Sequence, residues 1–404
     1  LDVDILFVFP GTLEALTKRG GGREERLLRV ATELSSSFNV SIVAPFFRSY
    51  KKVIMHSSSL MIENVYFPAL KNYPPKNRFS SVIHTFSIIL FYQLLLVMKI
   101  IQLKKNKLKI IILSDAFSGI IPAVVAKLLN IKIVYYEGNL TPWADPYIFS
   151  RNVSVINALW RSFNLIVGYT LCKIANAIIV NDGLIMEGMV RHDIRKSKIF
   201  IVRVGVDTNK FSPIEVATRS EEELHVGFIG RLTEEKGAPI LLKLCKTAVN
   251  MLPQVKFMIF GDGPYKKYFE TLPNVKYIGW VDHNTLPKWL SLVDVILSFQ
   301  KTFGLGEIEA LACGKPVVAY RIGEMPELVK DGKTGVLCRL EVSSLVKAIS
   351  KLMNNKAIIK KLSENARLEA INNYDWKIIG QKWKAIIKCL LVNAQICNRY
   401  RGDS

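Results

Sequence analysis

The residues best placed to do chemistry lie between Phe303 and Ala319, where Gly304, Leu305, Gly306, Glu307 and Glu309 precede the apolar run Pro316 to Ala319. A glycine-permitted turn there brings backbone N–H groups close to an anion, and a helix starting at the same point aims its positive end at the same oxygens. Glu307 and Glu309 are too negative to face phosphate and suit hydroxyl groups, such as those of a ribose or a sugar ring. An ordinary α/β helix start with solvated acids reads the same residues differently. Some seventy residues earlier, Gly230 is followed by Arg231 and Lys236. Guanidinium supplies a fork and ammonium a point charge, and a loop residue with a helix-start lysine five positions later can both reach one diphosphate. A solvated basic pair beside Glu234 and Glu235 is the plainer alternative. Breaking a bond whose leaving group is a diphosphate calls for such cations and backbone donors. No Asp-x-Asp arrangement lies between strands to hold Mg²⁺ against phosphate, and no essential metal is expected.

These residues need elements that present them. Ile5 to Phe9 is an apolar run ending in Pro10-Gly11, and after Gly20, Gly21 and Gly22 a helical pattern runs through Leu27, Leu28, Val30, Ala31 and Leu34. Val40 to Val43, Ile110 to Leu113, Ile131 to Tyr135 and Ala177 to Val180 read as further buried strands with helix-sized segments between them. A second cycle begins at Val226 to Gly230 and continues through Val255 to Phe260, Val275 to Ile278, Val293 to Phe299, Pro316 to Ala319 and Gly335 to Cys338. The fold class is therefore α/β with two Rossmann-like halves, and the seam falls between Phe200 and Glu223. Open sheets of this kind bind ligands beyond the carboxyl ends of their strands. Gly20, Gly21 and Gly22 in the first half let backbone approach the phosphates or the acceptor closely, or serve simply as a linker, and Gly261 and Gly263 in the second are expected at the donor site. Glu137 ends Tyr135-Tyr136-Glu137, after a strand. It is a candidate to orient a sugar hydroxyl or assist an acceptor's deprotonation, with a structural ion pair as the alternative.

Length and composition agree with two domains: 404 residues, half of them apolar. The six cysteines are scattered and the five histidines are few, which argues against a disulfide framework or a zinc cluster. The formal charge is +21, and roughly half of it falls in the first 200 residues. Lysines 99, 104, 105, 107 and 109 follow the apolar run Phe86 to Met98, a pairing that suits a helix lying at a headgroup layer or a buried helix with a solvated end. The run is too short to span a bilayer, and the acidic start of the chain shows no secretory signal, so the expectation is a cytoplasmic enzyme, peripheral on the inner face of a membrane. No base-reading module accompanies the charge, and no nucleic-acid partner is expected.

The chain resembles the retaining glycosyltransferases of family 4. The resemblance is carried by Gly230 to Gly237, Gly261-Asp262-Gly263-Pro264, Phe303 to Val318, Gly323 to Glu327 and Asp331 to Gly335. It implies the GT-B architecture: two facing Rossmann-like domains at 1–203 and 204–373, with a crossover helix at 374–394 packing back on the first. The first domain would bind the acceptor and the second the nucleotide sugar. It further implies that Arg231 and Lys236 bind the donor diphosphate and assist its departure, that Glu309 holds the nucleotide ribose, and that Phe303, Gly304 and Leu305 cradle phosphate and sugar. Gly21 and Gly22 match the family's N-terminal glycine loop. The implied donor is a UDP- or GDP-sugar with no tightly bound cofactor, and the implied acceptor is a glycan or a polyprenyl-phosphate-linked one. The family commonly places a second glutamate eight positions before the one at Glu309, and here that position is Lys301. Lys301 suits a carboxylate-bearing donor sugar or a pairing with Glu307; alternatively Glu307 takes over hydroxyl binding. Near Glu137 the histidine frequent in the family is missing, and Val204 stands where asparagine is frequent. The rival expectations are a nucleotide-sugar epimerase of the same fold and a partner-dependent sugar-nucleotide-binding subunit.

Overall fold

The computed structural model describes residues 2–8, 22–46, 53–66, 78–114, 119–138, 143, 155–215 and 222–392. They form two compact units, one running to Arg203 and resuming at Ile379, the other comprising Val204–Ile378.

The first unit is built on β1 (Ile5–Val8), α1 (Gly22–Ser35), β2 (Val40–Phe46), β3 (Val53–Ser57), β4 (Leu60–Tyr66), α2 (Arg78–Lys105), β5 (Ile110–Ser114), α3 (Ile120–Leu128), β6 (Lys132–Glu137), α4 (Val155–Ile174), β7 (Ala177–Val180), α5 (Gly183–Arg191) and β8 (Ile199–Ile201). Its sheet order is β3-β4-β2-β1-β5-β6-β7-β8. All pairings are parallel except β3 with β4. That antiparallel pair is an addition to the expected strands; Val53 to Tyr66 carries polar and apolar residues without a clean period, so its sequence does not announce a strand. Continuous apolar runs such as Ile110 to Leu113 are what a strand covered on both faces requires. Tyr92, Leu96, Ile100 and Leu103 of α2 share one core with Ala123 and Ala126 of α3 and with Val167 and Leu171 of α4. Each fully buried Leu or Ile among them contributes about 1.5–3 kcal/mol.

The second unit contains β9 (Leu224–Ile229), α6 (Ala238–Met251), β10 (Val255–Phe260), α7 (Lys266–Phe269), β11 (Val275–Gly279), α8 (Leu286–Ser291), β12 (Val295–Ser298), α9 (Leu305–Ala312), β13 (Val317–Tyr320), α10 (Met325–Leu328), β14 (Gly335–Cys338), α11 (Val342–Met353) and α12 (Lys356–Tyr374). Its parallel sheet runs β11-β10-β9-β12-β13-β14, so the strand order reverses between β9 and β12. In an open α/β sheet that reversal opens a crevice beyond the carboxyl ends of the two strands. Here those ends are Ile229 and Ser298, and the chemistry-bearing residues follow directly after both.

Helix α13 (Trp376–Val392) begins one residue after Asp375, which bridges to Val206. Its part from Ile379 onward belongs to the first unit, where Trp383 packs against Tyr136 with ring centroids 5.5 Å apart.

Candidate active site

The crevice at the β9/β12 reversal is shaped first by glycine. Gly261 has φ 144°, and a Cβ there would lie 1.9 Å from the carbonyl oxygen of Gly230. Gly263, with φ 157°, would place a Cβ 2.6 Å from the oxygen of Leu232. The two loops are laced together by Gly230 N–H to Phe260 O at 2.9 Å and Leu232 N–H to Asp262 O at 2.9 Å. Gly261 and Gly263 thus let the loop after β10 lie directly on the loop after β9. Tyr277 donates its phenol proton to Gly261 O at 3.0 Å, and burial, helped by Asp262, raises its pKa.

The loop after β9 carries Arg231, whose exposed guanidinium pairs with Glu235, and a 3₁₀ turn at Glu234–Lys236 closed by Gly237 in the left-handed region at φ 78°. Lys236 leaves this turn inward. Its ammonium donates to Gln300 Oε1 at 2.5 Å, and the amide of Gln300 donates in turn to Glu307 Oε1 at 3.0 Å. Glu307 is 6% exposed and also accepts Ser298 Oγ–H at 2.8 Å and, through Oε2, the backbone N–H of Gly304 at 3.0 Å. It closes the N-terminus of α9 in the manner of a capping-box glutamate, because the third residue of a helix can reach back to the capping position. Gly304 is that cap, and the next N–H groups, of Leu305 and Gly306, belong to the first turn, where a helix supplies no intrahelical partner. Phe303, just before the cap, meets Tyr374 edge-on at 6.1 Å.

Glu309, on the same helix, is 3% exposed and faces His283 from the loop after β11, with Oε1 2.6 Å from Nε2. The other ring nitrogen, Nδ1, is 3.1 Å from the ammonium of Lys210, which also donates to Asn284 Oδ1 at 3.0 Å. An ammonium only donates, so Nδ1 accepts, and the imidazole is the Nε2–H tautomer that donates to Glu309. Phe211 supports the ring with centroids 5.1 Å apart. Arg367 braces the same region, donating to the carbonyls of Phe211, Ala312 and Thr208 at 2.7, 2.7 and 2.9 Å. The thiol of Cys313, at the end of α9, is pushed up to about 12 by burial and stays protonated.

Lys236, Gly230, Gly261, Gly263, Phe303, Gly304, Leu305, Glu307 and Glu309 therefore gather around one sheet reversal, with the Arg231 guanidinium on its outer, exposed side. Lys301 accepts Glu324 N–H through its carbonyl at 2.7 Å, beside Gly323 at φ 53°. Glu137 lies in the first unit, 2% exposed, and accepts the phenol proton of Tyr135 at 2.7 Å, an arrangement of the interior rather than of an open strand end. Gly22 begins α1, and Gly21 lies outside the described residues. Sequence reasoning did not single out Ser298, Gln300, His283 or Lys210. Only Ser298 and Gln300 carried a signal, as polar residues closing an apolar strand beside the glycine turn. Among the described residues no group of three or more His, Cys, Asp or Glu could hold a metal, and the five described cysteines are free.

The model of the family described as glycosyl transferases group 1 matches residues 212–369. A curated Klebsiella pneumoniae relative, a 41.2 kDa protein of the cps region, is 32% identical over 257 residues, covering 60% of this chain and 69% of its own. The chain belongs to the glycosyl transferases group 1. As such it is an enzyme, a glycosyltransferase. A phosphatidylinositol N-acetylglucosaminyltransferase subunit of Arabidopsis thaliana is 25% identical over 302 residues, which cover 71% of this chain and 64% of that protein. The structure of HepE from Anabaena in complex with UDP and glucose superposes with a TM-score of 0.66 at 19% identity, covering 96% of this chain and 99% of that one. That likeness shows the fold: GT-B, built from two Rossmann-like α/β domains.

Proposed function

We propose that this glycosyltransferase moves a hexose from a nucleoside diphosphate sugar to a glycan or polyprenyl-phosphate-linked acceptor held at the inner face of a membrane, with retention at the anomeric carbon. The observation that carries the donor reading is the line Lys236–Gln300–Glu307–Gly304, which sets an ammonium and the start of α9 in one crevice, with buried Glu309 two residues further along that helix. A cation and helix-start N–H groups suit a diphosphate, and a buried carboxylate with a fixed neighbour suits a ribose hydroxyl. The HepE complex with UDP and glucose supports a donor of this class. The phosphatidylinositol named for the plant relative supports an acceptor presented by a lipid.

In this reading the C1–O bond to the β-phosphate breaks while Lys236, Arg231 and the N–H groups of Leu305 and Gly306 stabilise the charge growing on the departing diphosphate. The acceptor hydroxyl approaches C1 on the same face, beside the leaving oxygen, which takes its proton as the new C–O bond forms. Glu307 is held as a cap, so its part is to position the helix start. Glu137 is given a structural role in the first domain. The domains are proposed as 1–203 for the acceptor, 204–373 for the donor and 374–394 for the crossover helix.

The test is incubation of the purified chain with a panel of UDP- and GDP-sugars and a membrane lipid extract, followed by mass spectrometry. Nucleotide release together with a lipid gaining one hexose mass is expected. A free sugar epimer formed without acceptor, or nucleotide binding with turnover only after a second protein is added, would overturn the reading. Replacing Glu309 with Gln is expected to weaken nucleotide binding, because the amide loses the charge and acceptor capacity of the carboxylate.

A further inference from the structure

Helices α2, α3 and α4 lie side by side on one face of the first unit's sheet and end in the neighbouring parallel strands β5, β6 and β7. They consequently run the same way, and their C-termini reach the same edge of the sheet. Gln93 of α2 fixes the first contact, placing its Oε1 3.4 Å from the N–H of Ile121 and filling the space beside Gly119. The inner sides of the three helices are core. Their outer sides remain apolar: Leu94, Met98 and Ile101 on α2, Val124 and Leu128 on α3, and Ile166 on α4 are all exposed, Met98 at 59%, Leu128 at 77% and Ile166 at 65%. Scattered exposed apolar residues are ordinary, whereas stripes on three adjacent helices form a patch that calls for a partner.

The charge around this patch selects the partner. The three helices, of 28, 9 and 20 residues, contain no Asp or Glu. At their C-terminal edge stand Lys104 and Lys105, Lys127 and Lys173, all exposed. Lys198 joins that edge, donating to the carbonyl of Ala175 at 3.0 Å, and its pKa is lowered by burial and by Arg195, Lys127 and Lys173. Of the carboxylates described near this edge, Asp2 pairs with Lys107 and Asp4 with Lys109, each at 2.7 Å, and Glu187, beyond α4, pairs with Arg191 at 3.3 Å; Asp193 stands beside Lys173, whose ammonium donates to its carbonyl at 2.9 Å, so five lysines at the edge meet one further acid. A second copy on this face would bring lysine against lysine. None of the described helices is long and apolar enough to cross a membrane. We infer that the outer face of α2, α3 and α4 docks on an anionic lipid bilayer, with the apolar stripes at the acyl boundary and the lysine edge among the phosphates.

The inference rests on the acceptor reading only in that both place the enzyme at a membrane, and vesicle binding needs no nucleotide sugar. The full chain is floated with vesicles of phosphatidylcholine alone and of phosphatidylcholine mixed with phosphatidylglycerol, at low and high salt. Binding is expected on the mixed vesicles, weakened by salt through screening. Each lysine near such a surface contributes about fivefold, so the pair Lys104→Gln and Lys105→Gln is expected to bind about thirty-fold more weakly. Met98→Asp should lose binding as well, with circular dichroism reporting its folding. If that variant does not fold, the lysine pair still decides. Equal binding to neutral vesicles, no binding to either, or a wild-type dimer that Met98→Asp dissociates would overturn the docking face, the last assigning it to a second copy. Vesicle binding with no nucleotide release in the lipid-extract assay would support the face and sink the transferase mechanism; turnover on a soluble acceptor with no vesicle binding would sink the face and the membrane-held acceptor while leaving the donor reading standing.

Discussion

Replacing His283 tests whether the contact between His283 and Glu309 sets nucleotide recognition. Glu309 is 3% exposed, and its Oε1 takes the His283 Nε2 proton at 2.6 Å. His283→Ala removes that donor and leaves a buried carboxylate with one hydrogen bond fewer. A hydrogen bond to a charged group is worth about 1.5–3 kcal/mol net, so nucleotide affinity should fall roughly 10- to 150-fold if the lost positioning appears wholly in binding. The melting temperature should fall by roughly 4–10 °C if the cost appears in the free protein instead. His283→Gln separates a proton donor from ring packing. Its terminal amide nitrogen takes the place of Nε2 and still donates, while the contact with Phe211, 5.1 Å between centroids, is lost. Titration calorimetry with UDP and GDP, alongside inorganic pyrophosphate, gives the readout. Alanine should weaken binding of whichever nucleoside diphosphate the protein takes and leave pyrophosphate unchanged, and glutamine should recover most of the loss. Equal losses for Ala and Gln, or a loss shared by pyrophosphate, would refute the positioning argument.

Two further outcomes follow from packing and charge. Gly261→Ala forces an L residue to φ 144° with its Cβ 1.9 Å from Gly230 O, and the two loops must part; a loss of at least ~3 kcal/mol in urea unfolding is expected, and a loss near zero would show that the loops yield freely. Asp182 caps α5 by accepting Ile185 N–H at 2.8 Å, yet burial pushes its pKa up to about 6 from 3.8. A folded value above the unfolded one means that its contribution is fully present below pH ~4 and is lost as pH rises through ~6. Asp182→Asn keeps the capping acceptor and removes that loss, so unfolding free energy measured at neutral pH should rise, by up to ~3 kcal/mol, and its slope between pH ~4 and ~6 should flatten. An unchanged slope would show that Asp182 is solvated.

Much of the fold was legible because buried parallel strands must be apolar on both faces and must end where glycine or a polar residue lets the chain turn. Ile110 to Leu113, Ala177 to Val180 and Val255 to Phe260 are such runs; Gly230 and Gly261 mark where two of the loops begin, and Gly304 where a third gives way to a helix. The edge strand β3 and its neighbour β4 were not legible, since Val53 to Tyr66 mixes polar and apolar residues without a clean period, although β4 buries Leu60 and Ile62. The assignments of individual acids and bases were tertiary matters. Glu307 and Glu309 are two residues apart with the same side chain, and only the fold sets one on Gln300 and Ser298 and the other on His283. Glu137 is the last residue of its strand, one position short of where Gly230 stands after β9, and the packing of the first unit encloses its carboxylate with Tyr135. The chain's own order determines which residues lie at strand ends. Which of them share a hydrogen bond depends on contacts made across dozens of residues, such as the 26 between His283 and Glu309, and these exist only once both strands have joined the same sheet.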